Sequence, residues 1–132
     1  MQFEVATARR EQFIDITSSV ERALAEKGLR DGVVVVYCPH TTAAITINEN
    51  ADPDVLRDLT AGLERLAPRD GGWHHREGNS DGHLKASLLG SSATVPAIEG
   101  RLALGTWQGI YLAEFDGPRQ RRVIVTVVPG TS

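Results

Sequence analysis

The sequence predicts a single α+β domain over residues 1–132, with a mainly antiparallel, β-sandwich-like core and two or three helices. Short β-branched or alternating apolar segments recur along the chain and are joined by tight turns, a pattern that is typical of antiparallel pairing. Between these segments lie stretches whose apolar residues recur at helical spacing. A chain of 132 residues can bury one core, and nothing in its composition marks an internal boundary.

The N-terminal residues predict a hairpin followed by a helix. Residues 2–6 and 12–16 alternate weakly between apolar and polar side chains, as the two strands of a hairpin do. Ser18 and Glu21 have the spacing of a capping box at the start of a helix, and Gly28 supplies its stop.

Two strands and a second helix follow. Residues 33–37 are a continuous β-branched run, which predicts a central strand covered on both faces. Residues 43–47 alternate as a further strand, so the segment between them reads as a strand-to-strand turn. Asp52 as N-cap and Pro53 as first helical residue open the second helix, which Pro68 ends.

The second half of the chain predicts a loop, a short helix and four strands. Residues 69–78 are rich in glycine and polar side chains and read as a surface loop. A short helix then runs from Asn79 or Ser80 to a stop at Gly90. The predicted strands are residues 93–98, 101–104, 109–115 and 122–128.

The composition excludes several classes of protein. Fourteen Lys and Arg stand against 17 Asp and Glu, with no basic block and few aromatic residues, so we expect no nucleic-acid partner. Cys38 is the single cysteine, which excludes an internal disulfide, and no N-terminal stretch resembles a signal peptide. The apolar runs are too short to span a bilayer. We therefore expect a soluble, cytoplasmic protein that does not enter a membrane.

Three histidines, His40, His75 and His83, lie in the two most structured polar segments of the chain. Imidazole is the commonest ligand for zinc-like metals and the commonest general acid or base near neutral pH. Convergence of the three would give a catalytic metal site with an open fourth position. Scattered surface histidines are the alternative, and spacing does not choose between His75 and its neighbour His74.

Other polar residues near these segments are candidates for binding or catalysis. Thr41 and Thr42 could donate hydroxyl groups at an anion-binding turn, or could reflect β-propensity alone. Asn79 lies four residues before His83, on the same face of the predicted short helix. Glu49 ends the strand that begins near the first histidine, and reads either as a general base or as a solvated strand end.

The C-terminal half adds four candidates for an anion or substrate pocket. Arg119 follows an Asp-Gly-Pro turn, and a guanidinium group suits a phosphate or carboxylate. Lys85 is a weaker candidate for the same role, since exposed helical lysines are common. Trp107 and Gln108 either line a pocket or pack in the core.

Five motifs together resemble the YjbQ-like family, sometimes labelled secondary thiamine-phosphate synthases. They cover nearly the whole chain in this order: His40-Thr-Thr-Ala-Ala, Asn48-Glu-x-x-Asp-Pro-Asp-Val55, His75-x-x-Gly-Asn79-x-x-x-His83, Gly105-Thr-Trp-Gln108 and Glu114-x-Asp-Gly-Pro-Arg119. The resemblance implies a compact α+β fold, a homotrimer and a polar pocket that holds a metal or an anion near the motif histidines. It also favours His75 over His74.

The resemblance further implies a weak thiamine-phosphate synthase activity, which joins a hydroxymethylpyrimidine diphosphate to a thiazole phosphate with loss of pyrophosphate. A diphosphate leaving group usually requires Mg²⁺, whereas three histidines favour Zn²⁺. We therefore expect an enzyme, a transferase of this kind, that acts on a small phosphorylated molecule with Zn²⁺ or Mg²⁺ as cofactor. The alternatives are a non-catalytic metal- or ligand-binding module and a metal-dependent hydrolase.

The expected residues fall into three groups. The catalytic group is His40, Glu49, His75 and His83. The metal ligands are His40, His75 and His83. The substrate- or anion-binding group is Thr41, Thr42, Asn79, Trp107, Gln108 and Arg119.

Overall fold

A computed structural model describes residues 1–130, in which eight strands form two antiparallel sheets and three helices pack against them. One sheet has the order β1-β8-β3-β5-β6 and the other has the order β2-β7-β4. The predicted α+β fold is confirmed. The strands are β1 Gln2–Ala6, β2 Gln12–Asp15, β3 Gly32–Tyr37, β4 Ala43–Glu49, β5 Ser92–Ile98, β6 Arg101–Leu102, β7 Gln108–Glu114 and β8 Gln120–Pro129. The helices are α1 Thr17–Lys27, α2 Pro53–Leu66 and α3 Ser80–Leu89.

The first helix begins differently from the prediction. Its first residue is Thr17, whose backbone N–H donates to the Asp15 carboxylate at 2.9 Å. Ser18 therefore lies inside the helix and forms no capping box, so that prediction is wrong. Gly28 ends the helix as predicted, with a left-handed φ of 64° that only glycine adopts at low cost.

The other two helices follow their sequence signals. The Asp52 carboxylate accepts the backbone N–H of Asp54 at 2.9 Å, and Pro53 is the first residue of α2. Asn79 and Gly90 flank α3. None of the helices in residues 1–130 is both long and apolar enough to cross a membrane.

The first two strands belong to different sheets, so the predicted N-terminal hairpin is wrong. β1 pairs with β8, whereas β2 pairs with β7. Three of the connections that cross between the sheets, 7–11, 38–42 and 115–119, meet at one end of the molecule, and we call them the crossing segments. Thr7 N–H donates to Arg119 O at 2.9 Å, Phe115 N–H donates to Thr42 O at 3.1 Å, and Gly117 N–H donates to Arg10 O at 3.0 Å. Backbone hydrogen bonds thus fix the relative positions of all three connections.

The main core lies between the two sheets and α1, and includes Val20, Val34, Ile45 and Val123. A smaller cluster around Phe115 holds α2 and α3 against the three-stranded sheet. The clusters position two of the crossing segments, because Cys38 and Ala43 of the main core flank 38–42 and Phe115 of the smaller cluster begins 115–119.

Strand β3 is central, between β8 and β5, but the chain covers only one of its faces. Val34 and Val36 are fully buried, whereas Val33 is 36% exposed and Tyr37 is 43% exposed. The prediction that this strand is covered on both faces is therefore wrong for a single chain.

Candidate functional site

A cleft of about 460 Å³ lies where the crossing segments 38–42 and 115–119 meet the loop before α3. Its volume is in the range of small-molecule sites. We call it the histidine cleft, and its lining is Pro39, His40, Thr41, Thr42, His75, Glu77, Asn79, His83, Asp116, Arg119 and Arg121. The structure thus brings all three predicted histidines to one cleft. His74 does not line it.

His40 is fixed in one tautomer. Its Nε2 accepts the backbone N–H of Arg122 at 2.9 Å, so in the neutral ring the proton is on Nδ1. Burial lowers the pKa of His40, and the positive charges of Arg121 and Arg122 lower it further. The ring therefore serves the cleft as a hydrogen-bond donor, and its one lone pair is already used.

The lowered pKa of His40 predicts a loss of stability in mild acid. The unfolded chain binds a proton at His40 near pH 6.5, whereas the folded chain resists protonation until a lower pH. The unfolded state is therefore favoured as the pH falls through this window. Urea midpoints measured at about pH 7.5 and about pH 5.5 should differ more in the wild type than in His40→Gln. His74→Gln is the control, and should keep the wild-type difference; an unchanged difference in His40→Gln would contradict this role for His40.

The other two imidazoles lie next to each other. The rings of His75 and His83 meet edge to face, with their centroids 5.6 Å apart. Nε2 of His75 lies 3.8 Å from the carboxylate of Glu77, on the solvent side of the cleft. His83 is held by α3, so the loop that carries His75 folds back over the first turn of that helix.

Opposite these rings, Arg119 is bound to its own turn. Its Nε donates to the Asp116 carbonyl at 2.8 Å and its Nη2 to the Asp116 carboxylate at 2.9 Å, which leaves Nη1 without a partner in residues 1–130. Asn79 donates to the same carboxylate at 2.8 Å. Burial disfavours the charged form of Asp116, but the hydrogen bonds from Asn79 and Arg119 outweigh burial and lower its pKa.

Arg121 lines the cleft and belongs to an ion pair that sequence reasoning missed. Arg121 is 4% exposed and Glu114 is fully buried; Nε of Arg121 donates to Glu114 at 2.8 Å and Nη2 donates to the Thr42 hydroxyl at 2.8 Å. Alternation along β8 could have found Arg121, because it shares a face with the buried residues Val123 and Val125.

A second buried charge is Lys85, which we predicted to be exposed. It is fully buried, and its Nζ donates to the carboxylates of Glu64 at 2.6 Å, Glu11 at 3.1 Å and Asp81 at 3.3 Å. Asp81 also accepts from Arg10 at 2.9 Å. The prediction of an exposed Lys85 is wrong because two partners of this side chain, Glu11 and Glu64, come from segments far away in the sequence.

Three predicted site residues lie elsewhere in the chain. The Glu49 carboxylate accepts the backbone N–H of Ala51 at 3.1 Å, at the far end of β4 from His40. Trp107 is 64% exposed on the loop before β7, and the Gln108 side chain accepts the Gly105 N–H at 2.8 Å. Trp107 and Gln108 lie at the same far end of β4 as Glu49. Within one chain, none of these three residues lines the histidine cleft.

The predicted zinc site is wrong. Within residues 1–130, no group of three or more His, Cys, Asp or Glu side chains is placed to hold a metal ion. The structure supplies a reason at His40, whose Nε2 lone pair is already occupied by the Arg122 N–H. The expectation that a Zn²⁺ or Mg²⁺ cofactor binds the protein stays a prediction, which elemental analysis of the purified protein tests.

The whole described chain matches one family. The model of the "UPF0047 protein YjbQ-like" family matches residues 1–130. This chain belongs to the YjbQ-like family. It is 48% identical to a UPF0047 protein of Methanocaldococcus jannaschii over 127 residues, covering 96% of this chain and 92% of that protein. It is 47% identical to the UPF0047 protein YugU of Bacillus subtilis over 130 residues, covering 95% and 96%.

Solved structures of similar proteins share the fold. A YjbQ/UPF0047 family protein from Clostridium acetobutylicum superposes with a TM-score of 0.95 at 54% identity, covering 97% of this chain and 99% of that one. A YjbQ-like protein of unknown function from Sulfolobus solfataricus gives a TM-score of 0.95 at 33% identity, covering 98% and 96%.

The comparisons correct the predicted function. The relatives' names give only the family designation, with no thiamine-phosphate synthase or other transferase activity. The predicted enzyme is therefore unsupported, and its thiamine-phosphate version is wrong as an inference from the family. The two alternatives, a metal-binding module and a metal-dependent hydrolase, are wrong for the same reason, because both require the predicted metal site.

Proposed function

We propose that the histidine cleft binds a small phosphorylated molecule through protein groups alone. The observation that carries the proposal is the fixed tautomer of His40, which leaves Nδ1–H as a donor in the same cleft as Arg119. Thr41, on the same turn as His40, adds an exposed hydroxyl group. A phosphate offers several acceptor oxygens to such a set of donors.

An unsatisfied buried acceptor lies in the cleft wall, and it suits a hydroxyl or N–H donor on the ligand and not the oxygens of its phosphate. Asn79 is 6% exposed, and its Oδ1 has no hydrogen-bond partner in residues 1–130. An unpaired buried polar atom costs about 1–3 kcal/mol, so native proteins contain few of them. The amide remains in this position because its Nδ2 is held by Asp116, which Arg119 also holds.

The proposal predicts that Arg119→Ala weakens the binding of inorganic phosphate about tenfold, the effect of losing one charge-assisted hydrogen bond in a half-exposed site. Calorimetric titration of phosphate measures the affinity. Arg57→Ala is the matched control, because Arg57 also pairs with an aspartate three residues before it but lies on α2. Thermal unfolding of both variants checks that the fold is intact.

Two outcomes would overturn this proposal. One is the absence of phosphate binding by the wild type at millimolar concentration. The other is an equal loss of phosphate affinity in Arg119→Ala and Arg57→Ala, which would mean that any surface arginine contributes to phosphate binding.

The outer face of the five-stranded sheet supports the proposal that the protein is a homotrimer. Three adjacent outward rows across β5, β3 and β8 include no charged side chain, and Arg122 of β8 lies just beyond them; the rows are Pro96, Val33 and Val128, then Thr94, Val35 and Thr126, then Ser92, Tyr37 and Ile124. Exposed apolar patches of this kind mark protein interfaces. A second copy of the chain is the partner that we propose for this face.

Tyr37→Lys should therefore dissociate the oligomer, because it places a charge on the central strand of the uncharged face. Light scattering should give three times the 14.3 kDa of the chain for the wild type and a smaller mass for the variant. Leu66→Lys is the control, since Leu66 is 73% exposed on α2, outside the sheet face. A monomeric wild type, or an unaffected Tyr37→Lys, would contradict the assignment of this face.

A cytoplasmic location is also part of the proposal. Its support is the single cysteine, Cys38, which is buried as a free thiol. Cell fractionation tests it.

A further inference from the structure

A second cavity adjoins the histidine cleft. It measures about 440 Å³ and shares His40, Thr41 and His83 with the cleft, so these three residues stand between the two spaces. We call it the small-residue lobe, and its remaining lining is Ala43, Ala86, Ser87, Gly90 and Ser91.

The lobe and the cleft differ in charge. The cleft contains Arg119, Arg121, Asp116 and Glu77. The lobe has no ionisable side chain apart from the two histidines that it shares. A charged group placed there would lose hydration without gaining an ionic partner, whereas an uncharged group would bury surface against Ala43 and Ala86.

The walls of the lobe are held by the fold. Gly90 O accepts the Ile45 N–H at 3.1 Å, and Ser91 O accepts the Cys38 N–H at 2.8 Å, so these backbone segments are tied to β4 and β3. On the other side, His40 is held through its Nε2 by the Arg122 N–H. The backbone walls of the lobe are therefore preformed beside the proposed phosphate position.

We propose that the ligand is a phosphomonoester with an uncharged organic body of about the size of one ring. Its phosphate occupies the histidine cleft and its body passes between His40 and His83 into the small-residue lobe. This inference rests on the proposed function, and it excludes ligands whose second half carries a charge.

Three phosphomonoesters test the inference: methyl phosphate, which has no body, and phenyl phosphate and ribose 5-phosphate, which have uncharged bodies. We expect at least one of the larger esters to bind the wild type about tenfold more tightly than methyl phosphate. Ser87→Phe should fill the lobe and remove this gain, while the affinity for methyl phosphate stays within about twofold of the wild-type value. Ser87 is exposed, so the substitution disturbs no core contact.

The controls separate the two proposals. Ser87→Ala should keep the gain, and Ser91→Phe should remove it from the opposite wall of the lobe. If methyl phosphate binds and neither larger ester binds better, the inference about the lobe is wrong and the phosphate site stands. A gain that survives both phenylalanine variants also overturns the inference. If no ester binds at all, the proposed function fails, and the inference fails with it.

Discussion

Lys85→Met should lower the free energy of unfolding by about 3 kcal/mol, the low end of the cost of removing one partner from a buried ion pair. Lys85 is fully buried among three carboxylates, and its loss leaves their charges uncompensated. The effect stays at the low end because the Glu64 side chain is 43% exposed and can turn to water, while Asp81 keeps Arg10. Urea unfolding followed by circular dichroism measures the change.

The sequence supplies a matched control for this prediction. Lys27 is the only other lysine, and it is exposed in the last turn of α1. Lys27→Met should change the free energy of unfolding by no more than about 0.5 kcal/mol. If the two variants lose the same amount of stability, the carboxylate cluster around Lys85 does not stabilise the fold.

The secondary structure was largely predictable because local signals decide it. Gly28 ends α1, Asp52 and Pro53 begin α2, and alternating apolar residues mark the strands. The pairing of strands was less predictable. Alternation defines which side chains of a strand point inward, but it does not say which sheet the strand joins, so the crossing between β1 and β2 was mistaken for a hairpin turn.

The candidate site was predictable in part for the same reason. His40, His75, Asn79 and His83 lie in polar segments with a recognisable motif, and the structure brings them to one cleft. Glu49 belongs to another of the quoted motifs, but it lies at the last residue of the seven-residue strand β4, whereas His40 lies just before its first. The buried cations were missed because their burial depends on partners far away in the sequence, such as Glu11 for Lys85.

The most destabilising single change should be Arg121→Met, at about 4 kcal/mol, because it leaves the fully buried carboxylate of Glu114 without a cation. That carboxylate joins all three crossing segments. It accepts the Thr7 hydroxyl at 2.8 Å and the Asp116 N–H at 3.0 Å, and Arg121 extends the contact to Thr42. The loss should therefore loosen the cleft walls as well, so phosphate affinity should fall together with stability.

A double variant separates the ion pair from the rest of the network. Arg121→Met with Glu114→Met removes both charges, and replacing both partners of a buried pair by apolar side chains is often near neutral. Some cost should persist, because Thr7 and the Asp116 N–H lose their acceptor. We expect the double variant to lose about 2 kcal/mol less than the sum of the two single variants. Arg122→Met, the exposed neighbour on the same strand, should lose at most about 0.5 kcal/mol. Strict additivity of the two single variants would show that Arg121 and Glu114 act independently, and the buried pair would then have no stabilising role of its own.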